Sequence, residues 1–210
     1  MTTAGVKAVI RILKKTHPDA KIALDFRDPY ELICAVILSA QCTDVRVNQV
    51  TPRLFRRFPA PAALAAADPG EVEAIIRPTG FFRNKAKSLV GMARGLVERH
   101  GGEVPDNMAA LLELPGVARK TANVVLGAAF GRAEGITVDT HVRRVSRRLG
   151  LTKHGEPEKI EKDLMRLVPR AAWIAFSHLL IFHGRRVCHA RKPACPKCAL
   201  APHCPSAGRV

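Results

Sequence analysis

The arrangement of apolar residues constrains the fold of this chain more than any other feature of its sequence. Apolar residues recur with helical periodicity along almost the whole chain, and the strict alternation typical of β-strands is nearly absent. Glycine and proline residues interrupt the periodic segments. Gly101, Gly131 and Gly150 each follow such a segment, at the position where a glycine commonly ends a helix. The sequence therefore predicts an all-α fold.

The periodic segments predict ten helices. They lie near residues 4–15, 29–38, 44–57, 70–77, 83–100, 107–113, 119–130, 140–149, 157–167 and 170–184. The tail from Cys188 onward contains too many cysteine, proline and lysine residues to pack as a helix by itself. We therefore expect something other than helix packing to order this tail.

The charge of the chain limits the class of its partner. Its 210 residues include 34 lysines and arginines against 18 aspartates and glutamates, which gives a formal net charge of +16. A surplus of this size is typical of a protein that binds a polyanion. Charge that served only solubility would not require a cluster such as Arg143, Arg144, Arg147 and Arg148. With 47% hydrophobic residues, the chain can bury a core as one domain or two small ones.

The apolar runs are too short for a membrane protein. None approaches the roughly 20 residues that cross a bilayer, and the N-terminal segment lacks the cleavage-site pattern of a secretory signal. We therefore expect a soluble, intracellular protein with no membrane partner.

Four of the six cysteines lie close together near the end of the chain, at Cys188, Cys195, Cys198 and Cys204. Without a secretory signal, such a group indicates a metal site rather than disulfides. Zinc can take four thiolates in a tetrahedron, and a cubane iron–sulfur cluster takes one thiolate per iron. The spacing leaves both possibilities open, although one Cys-x2-Cys pair flanked by lone cysteines slightly favours iron and sulfur. Unliganded buried cysteines are the structural alternative.

The loop between Cys188 and Cys195 carries two cations, Arg191 and Lys192. A loop anchored at both ends by metal ligands can press against a phosphate backbone. The metal group would then act as a staple that holds a DNA contact rather than as a chemical catalyst. The alternative is a solvated loop with incidental charge.

Residues 112–122 (LELPGVARKTA) predict two helices joined by a tight turn. Pro115 ends the first helix, and Gly116 can take the backbone conformation that the turn needs. The next helix begins with unpaired N–H groups and a positive dipole end, which together form a phosphate site independent of base sequence. The segment resembles the helix-hairpin-helix motif of DNA-binding proteins, with Ala118 where that motif usually has a second glycine. We expect Gly116, Ala118 and Arg119 to contact phosphates.

Lys120 and Asp139 are candidates for a catalytic pair. Lys120 lies in the first turn of the second hairpin helix, where the helix dipole disfavours a cation. A neutral amine there can attack C1′ of a nucleotide, expel the base and persist as a Schiff base. Asp139 is placed to cap the next helix, and its charge can stabilise the sugar as the base leaves. Alone, each has a structural interpretation, as a phosphate-binding lysine and as a helix cap.

Five segments occur in a recognisable order along the chain. They are LSAQCTDVRVN at 38–48, GFFRNKA at 80–86, LPGVARKTANVVL at 114–126, VDTHV at 138–142 and the four-cysteine tail. Together they resemble the endonuclease III family of DNA glycosylases and abasic-site lyases, over nearly the whole chain. The resemblance implies that Lys120 is the nucleophile, that Asp139 is the essential carboxylate, and that the four cysteines hold a [4Fe-4S] cluster.

The resemblance also implies that the damaged nucleotide is flipped out of the duplex. Gln41 matches the residue that fills the vacated space, and Phe81 stands where the family often has a wedging leucine, with Phe82 beside it. His141, two positions after Asp139, is expected near the DNA. As alternatives, Gln41 is a polar residue at a helix end, the two phenylalanines belong to the core, and His141 only packs.

The implied architecture has two helical domains with DNA bound in the cleft between them. A helical barrel of residues 22–133 carries the hairpin, and residues 1–21 and 134–210 form the cluster domain. The implied reaction is removal of an oxidised pyrimidine by Lys120, followed by β-elimination 3′ to the abasic site. The implied partner is double-stranded DNA with a damaged pyrimidine or an abasic site. We expect a monomer in the cytoplasm, associated with the nucleoid.

Three other classes of protein are alternatives. Adenine glycosylases and thymine mismatch glycosylases share the cluster but generally lack a lysine at the position of Lys120, and adenine glycosylases have a further C-terminal domain for which this chain ends too soon. A non-catalytic DNA-binding or redox-sensing module would bind duplex DNA without a covalent intermediate. The presence of both Lys120 and Asp139 favours the lyase.

Overall fold

A computed structural model describes residues 3–209 of the chain. Over these residues the chain forms eleven α-helices and no β-strand, which confirms the predicted all-α fold. None of these helices is both long enough and apolar enough to cross a membrane.

The helices are α1 (Thr3–Thr16), α2 (Pro29–Leu38), α3 (Asp44–Arg57), α4 (Pro61–Ala65), α5 (Pro69–Ile76), α6 (Phe82–His100), α7 (Met108–Leu112), α8 (Arg119–Phe130), α9 (Thr140–Arg148), α10 (Pro157–Leu167) and α11 (Trp173–Arg186). All ten predicted helices are present, although the last begins at Trp173 after a 3-10 turn. The sequence pattern missed α4, because this short, alanine-rich helix buries only Leu64 and so shows no periodic apolar face.

The chain divides into two compact units. The hairpin unit contains Ala23–Arg132, and the cysteine unit combines the described residues up to Ile22 with those from Ala133 onward. These boundaries lie one residue away from the predicted ones. The cysteine unit is therefore assembled from both ends of the sequence.

The hairpin unit is built around α2. All residues of α2 from Tyr30 to Leu38 are buried, which explains the continuous apolar sequence of this helix. The neighbours of α2 are α3, α6 and α8, and α6 also packs on α4 and α5. The hydroxyl of Tyr30 donates to the carbonyl of Phe58 at 3.0 Å and so ties α2 to the end of α3. Helix α8, which carries the hairpin lysine, thus rests on a fully buried helix.

The cysteine unit packs α1 and α9 against α11. Helix α9 is strongly amphipathic, with Val142 and Val145 buried and Arg143 and Arg147 exposed. Apolar residues of α1 share the same core. This packing fixes α9, and with it the N-terminal end of the helix where Asp139 lies.

Candidate active site and cysteine cluster

The turn between α7 and α8 requires a glycine. Gly116 has a φ of +78°, a left-handed conformation that side-chain-bearing residues rarely adopt. A Cβ atom at this position would lie 2.6 Å from the Cβ atom of Ser88 on α6, much closer than carbon atoms in contact. Leu114 and Val117 are buried on either side of the glycine, and the Val117 N–H donates to the Leu114 carbonyl at 3.1 Å. The turn is therefore held tightly against α6.

The N-terminus of α8 has no side-chain cap. Ala118 occupies the N-cap position with an extended backbone (φ −88°, ψ 168°) and makes no side-chain hydrogen bond. Any L-residue can adopt this conformation, so the turn does not need a second glycine here. Arg119 and Lys120 follow directly, and both side chains are exposed. The positive end of the helix dipole thus lies beside two cations, which favours binding of an anion.

Asp139 caps α9, as its position in the sequence predicts. Its Oδ1 accepts a hydrogen bond from the backbone N–H of Val142 at 2.7 Å, and the residue is half-buried. The cap holds the carboxylate in one orientation at the N-terminal end of α9. Asp139 belongs to the cysteine unit and Lys120 to the hairpin unit.

Gln41 and Phe81, both in the hairpin unit, have left-handed backbone conformations that are uncommon outside glycine. Their φ angles are 51° and 49°. Gln41 is exposed shortly after α2, and Phe81 precedes α6 with 62% of its surface exposed. Phe82 is half-buried, and the guanidinium groups of Arg77 and Arg83 lie over its ring. The two phenylalanines therefore differ, since Phe81 is more exposed to solvent than Phe82.

A buried lysine lies beside the Phe81 turn. Lys85 is 5% exposed, and its Nζ donates to the carbonyl of Thr79 at 2.8 Å. Burial lowers the pKa of this ammonium group. The backbone N–H of Lys85 donates to the Phe81 carbonyl at 3.1 Å. Lys85 therefore ties both sides of the turn to α6, a role that the sequence did not indicate because lysine is typically a surface residue.

The four tail cysteines surround one small cavity of about 30 Å³ in the cysteine unit. All four thiols are free. Burial raises the pKa values of the Cys198 and Cys204 thiols, and the negative charges of neighbouring thiolates act in the same direction. Between residues 3 and 209, no three histidine, cysteine, aspartate or glutamate side chains are grouped so that they could hold a metal ion. The sulfurs thus meet around a common cavity without converging on a single point.

Two arginines of α9 fasten the loop that begins at Cys188. Arg148 donates to the carbonyls of His189 and Ala190 at 2.7 and 3.0 Å, and its Nη1 lies 3.3 Å from the Cys188 Sγ. Arg144 donates to the carbonyl of Cys188 at 3.1 Å. These bonds hold the start of the cysteine tail on α9.

The same network positions two further residues that the sequence singled out. The fastened loop exposes Arg191 and Lys192 to solvent. His141 is half-buried, and its Nδ1 accepts a hydrogen bond from Arg144 at 3.1 Å. Burial lowers the pKa of His141. His141 is thus part of the packing around α9, whereas Arg191 and Lys192 are available to a polyanion.

A pair of buried histidines adjoins the cysteine cavity. Nε2 of His17 lies 3.2 Å from Nδ1 of His183 on α11, and Nε2 of His183 lies 3.6 Å from Sγ of Cys198. Burial lowers the pKa of His183 to about 4. Sequence reasoning missed this pair, because no periodicity or motif connects residues that are 166 positions apart.

The exposed side of α9 forms a wall of a basic groove in the cysteine unit. The groove has a volume of about 700 Å³ and is lined by Thr140, Arg143, Arg144, Arg147, Arg148, Gly150, Thr152, Lys153 and Ser206. None of these lining residues is acidic. Arg143 and Arg147 are both exposed. The groove is therefore a surface of concentrated positive charge next to the fastened loop.

Comparison with known proteins identifies the class to which this arrangement belongs. A family model described as HhH-GPD superfamily base excision DNA repair protein matches residues 34–170. Endonuclease III of Synechocystis sp. is 58% identical over 199 residues, which cover 95% of this chain and 91% of that protein. A non-covalent endonuclease III–DNA complex and a trapped endonuclease III–DNA covalent intermediate match with TM-scores of 0.93 and 0.94. Each of these two structures is 42% identical to the chain, covering 99% of it and 97% of the other protein.

The fold and the hairpin turn thus define a helix-hairpin-helix protein of base excision DNA repair. Within that superfamily, the chain belongs to the endonuclease III family. This confirms the resemblance drawn from the five sequence segments, and it confirms that the fold extends over nearly the whole chain.

Replacement of Gly116 by alanine is expected to destabilise the protein by roughly 2–4 kcal/mol, because the new methyl group combines backbone strain with overpacking against Ser88. Gly102→Ala is a matched control. Gly102 also has a positive φ, of +86°, but within residues 3–209 no atom beyond its own chain neighbours lies within 4 Å of the position of its Cβ. Only backbone strain applies there, at a cost of about 1–2 kcal/mol. Urea unfolding measures the free energy of unfolding of both variants. Equal decreases would contradict the close contact between Gly116 and Ser88.

Proposed function

We propose that the protein is a bifunctional DNA glycosylase and abasic-site lyase that removes oxidised pyrimidines from duplex DNA, with Lys120 as nucleophile and Asp139 as essential carboxylate. The main observation that supports this proposal is the exposed side chain of Lys120 in the first turn of α8, directly after the hairpin turn. A relative of 42% identity captured as a covalent intermediate with DNA supports the same kind of chemistry. The protein acts on DNA in base excision repair, and we expect it to do so in the cytoplasm, at the nucleoid.

The reaction begins with the amine of Lys120. In its neutral form, this amine attacks C1′ of an extruded nucleotide. A bond forms between Nζ and C1′ while the bond from C1′ to the base breaks, and the base leaves with the bonding electrons and takes up a proton. Nζ then loses one proton, the C1′–O4′ bond breaks and O4′ takes up a proton, which leaves a protonated imine between Lys120 and C1′.

Asp139 stabilises the positive charge on the sugar as the base departs. The cap bond from the Val142 N–H fixes the carboxylate before the reaction begins. A charge that is already oriented needs no reorganisation when the sugar becomes cationic, which makes it an effective electrostatic catalyst. The same carboxylate can accept a proton from Lys120 as the imine forms.

The imine makes strand cleavage possible. It withdraws electrons from C1′, and the proton on C2′ becomes acidic. Removal of that proton expels the 3′ phosphate by β-elimination, and hydrolysis of the imine frees Lys120. The products are the released base and a strand cut 3′ to the abasic site.

Extrusion of the damaged nucleotide leaves a gap that Gln41 and Phe81 are suited to occupy. The exposed amide of Gln41 can hydrogen-bond to the unpaired base, and the exposed ring of Phe81 can wedge between bases. The left-handed backbone of both residues supports this role, because such conformations are costly and concentrate at functional positions. The ring of Phe82 is half-buried and contacts the guanidinium groups of Arg77 and Arg83, so it is less available for this role.

Each unit offers its own contacts to the phosphate backbone. In the hairpin unit, the open N-terminus of α8 presents the backbone of Gly116, Ala118 and Arg119 to an anion. In the cysteine unit, Arg191 and Lys192 extend from the fastened loop. Contacts of this kind fix the position of a protein on DNA without reading its sequence, which suits an enzyme that must find damage in any sequence.

The four cysteines fit a [4Fe-4S] cluster, which the family resemblance implies. A cubane spreads four thiolates over four iron atoms, so its ligands stand further apart than those around one zinc ion. The shared cavity and the four free thiols support one site held by all four cysteines, and the family resemblance favours the cluster over zinc at this site. When bound, the cluster would cross-link the tail through Cys188, Cys195, Cys198 and Cys204.

Borohydride trapping tests the assignment of the nucleophile. With a duplex that contains an abasic site or an oxidised pyrimidine, wild-type protein is expected to give a covalent adduct when the imine is reduced. Lys120→Ala is expected to give none. Lys120→Arg keeps the positive charge, but its guanidinium stays protonated, so this variant is expected to bind the duplex without forming an adduct.

An adduct at wild-type yield with Lys120→Arg would contradict the role of Lys120. Trapping on abasic DNA alone would retain the lyase and reject the proposed base specificity. No trapping by wild-type protein on either duplex would favour a DNA-binding protein without catalysis.

Two substitutions separate the capping role of Asp139 from its catalytic role. Asparagine is a good N-cap, so Asp139→Asn is expected to lose little stability, whereas Asp139→Ala is expected to lose about 1 kcal/mol. Both remove the carboxylate, so both should slow single-turnover base release by roughly 100-fold or more. Thermal unfolding and single-turnover assays measure the two effects. A wild-type rate for Asp139→Asn would leave Asp139 as a helix cap only.

Neutralisation of the groove arginines is expected to make DNA binding less sensitive to salt. In Arg143→Gln/Arg147→Gln, the slope of log K against log salt should become shallower by about 0.9 for each phosphate that the variant no longer neutralises. Lys14→Gln/Lys15→Gln removes two exposed charges from the end of α1 and is the matched control. Fluorescence anisotropy of a labelled duplex at several salt concentrations gives the slopes. Equal slopes for the two double variants would mean that the groove acts only through net charge.

A further inference from the structure

Two buried histidines next to the cysteine cavity have no part in the reaction proposed above. His17 follows α1, His183 lies on α11, and their side chains are 2% and 3% exposed. The rings meet edge to face with centroids 5.4 Å apart. His183 also contacts Cys198. The pair therefore forms a continuous buried path of polar atoms that ends at a sulfur.

We propose that His17 and His183 form a hydrogen-bond chain of fixed direction that donates to the Cys198 thiolate and raises the reduction potential of the bound cluster. This inference rests on the cluster assigned under the proposed function. In the chain, the His17 Nε2–H donates to the His183 Nδ1 at 3.2 Å, and the His183 Nε2–H donates to the Cys198 Sγ at 3.6 Å. His17 is a positioning residue, because it acts on the sulfur only through His183.

The Cys198 end of the hydrogen-bond chain indicates that donation runs from the histidines toward the sulfur. A cysteine that ligates a cluster is a thiolate and has no proton to donate. The Nε2 atom of His183, which faces that sulfur, must then carry a proton to make an attractive contact. In a neutral imidazole the other nitrogen is an acceptor, so Nδ1 of His183 receives its hydrogen bond from His17.

The His17 end of the hydrogen-bond chain independently indicates the same direction of donation, from His17 to His183. Nδ1 of His17 is buried and has no hydrogen-bond partner among residues 3–209. If His17 donates through Nε2, this buried atom is only a lone pair. The reverse direction would place a proton on Nδ1 and bury an unsatisfied N–H, which is the rarer and more costly defect. The two ends therefore agree on one tautomer for each ring.

A donor fixed on a ligating sulfur changes the potential of a cluster in a known direction. Reduction adds negative charge that is partly carried by the thiolates, and hydrogen bonds to the sulfurs are among the main determinants of the potential. A donor favours the more negative state, so it raises the potential. Because burial excludes water from this path, no solvent molecule replaces the donor when it is removed.

Voltammetry of the cluster-containing full-length protein tests the chain, with visible absorbance as the measure of cluster content. His17→Phe keeps an aromatic ring and removes the donor, and it is expected to shift the potential to a more negative value at full cluster content. His17→Gln retains an N–H that can reach His183 and is expected to stay near wild type. His178→Phe is the control, because His178 lies on α11 like His183 but does not line the cysteine cavity. It is expected to leave the reduction potential unchanged.

A double variant tests whether His17 acts through His183. His183→Phe alone is expected to shift the potential at least as far as His17→Phe, and the double variant no further than His183→Phe. Additive shifts would overturn the positioning role of His17. An unchanged potential in either single variant with a full cluster would overturn the chain.

The tautomers of His17 and His183 can also be determined in wild-type protein. This measurement remains possible if the variants do not fold. Long-range proton–nitrogen correlation spectra of wild-type protein labelled with ¹⁵N-histidine are expected to show His183 protonated at Nε2, and protonation at Nδ1 would overturn the proposal. Wild-type protein without cluster absorbance would overturn both the cluster assignment and this chain. Neither outcome affects the trapping result at Lys120, so the two proposals fail separately.

Discussion

Lys120 has its position because the backbone at Gly116 and the side chain of Ser88 are in direct contact. No Cβ atom fits between them, so the turn after α7 can lie close against α6 only with a glycine in a left-handed conformation. This contact fixes where α8 begins. The uncapped start of that helix, its exposed lysine and its packing against the buried α2 all follow from it. A loosened turn would leave the Lys120 amine without a fixed position.

The cysteine unit depends in a similar way on α9. The tail beyond Cys188 contains only short 3-10 turns among the described residues, and it cannot form a core of its own. Arg144 and Arg148 fasten it through backbone carbonyls. The same helix begins at the capped carboxylate of Asp139 and exposes the basic groove on its outer side. One amphipathic helix thus connects the candidate carboxylate, the cysteine tail and a surface for phosphates.

The sequence predicted the elements whose signals are local. The bounds of α2, α3, α8 and α10 match the apolar periodicity and its Gly and Pro boundaries, and Asp139 caps α9 because the preference of aspartate for that position is local as well. Contacts across long sequence distances could not be predicted. The pairing of His17 with His183 and the burial of Lys85 depend on how helices pack. The left-handed backbone of Gln41 and Phe81 overrides the usual preference of those residues.

The proposed mechanism requires a covalent bond between one lysine and the sugar of a damaged nucleotide. Peptide mapping by tandem mass spectrometry, applied to wild-type protein after borohydride reduction on abasic DNA, locates that bond directly. We expect a sugar remnant on the Nζ atom of Lys120. A remnant on another lysine, such as the buried Lys85 or the exposed Lys192, would contradict it.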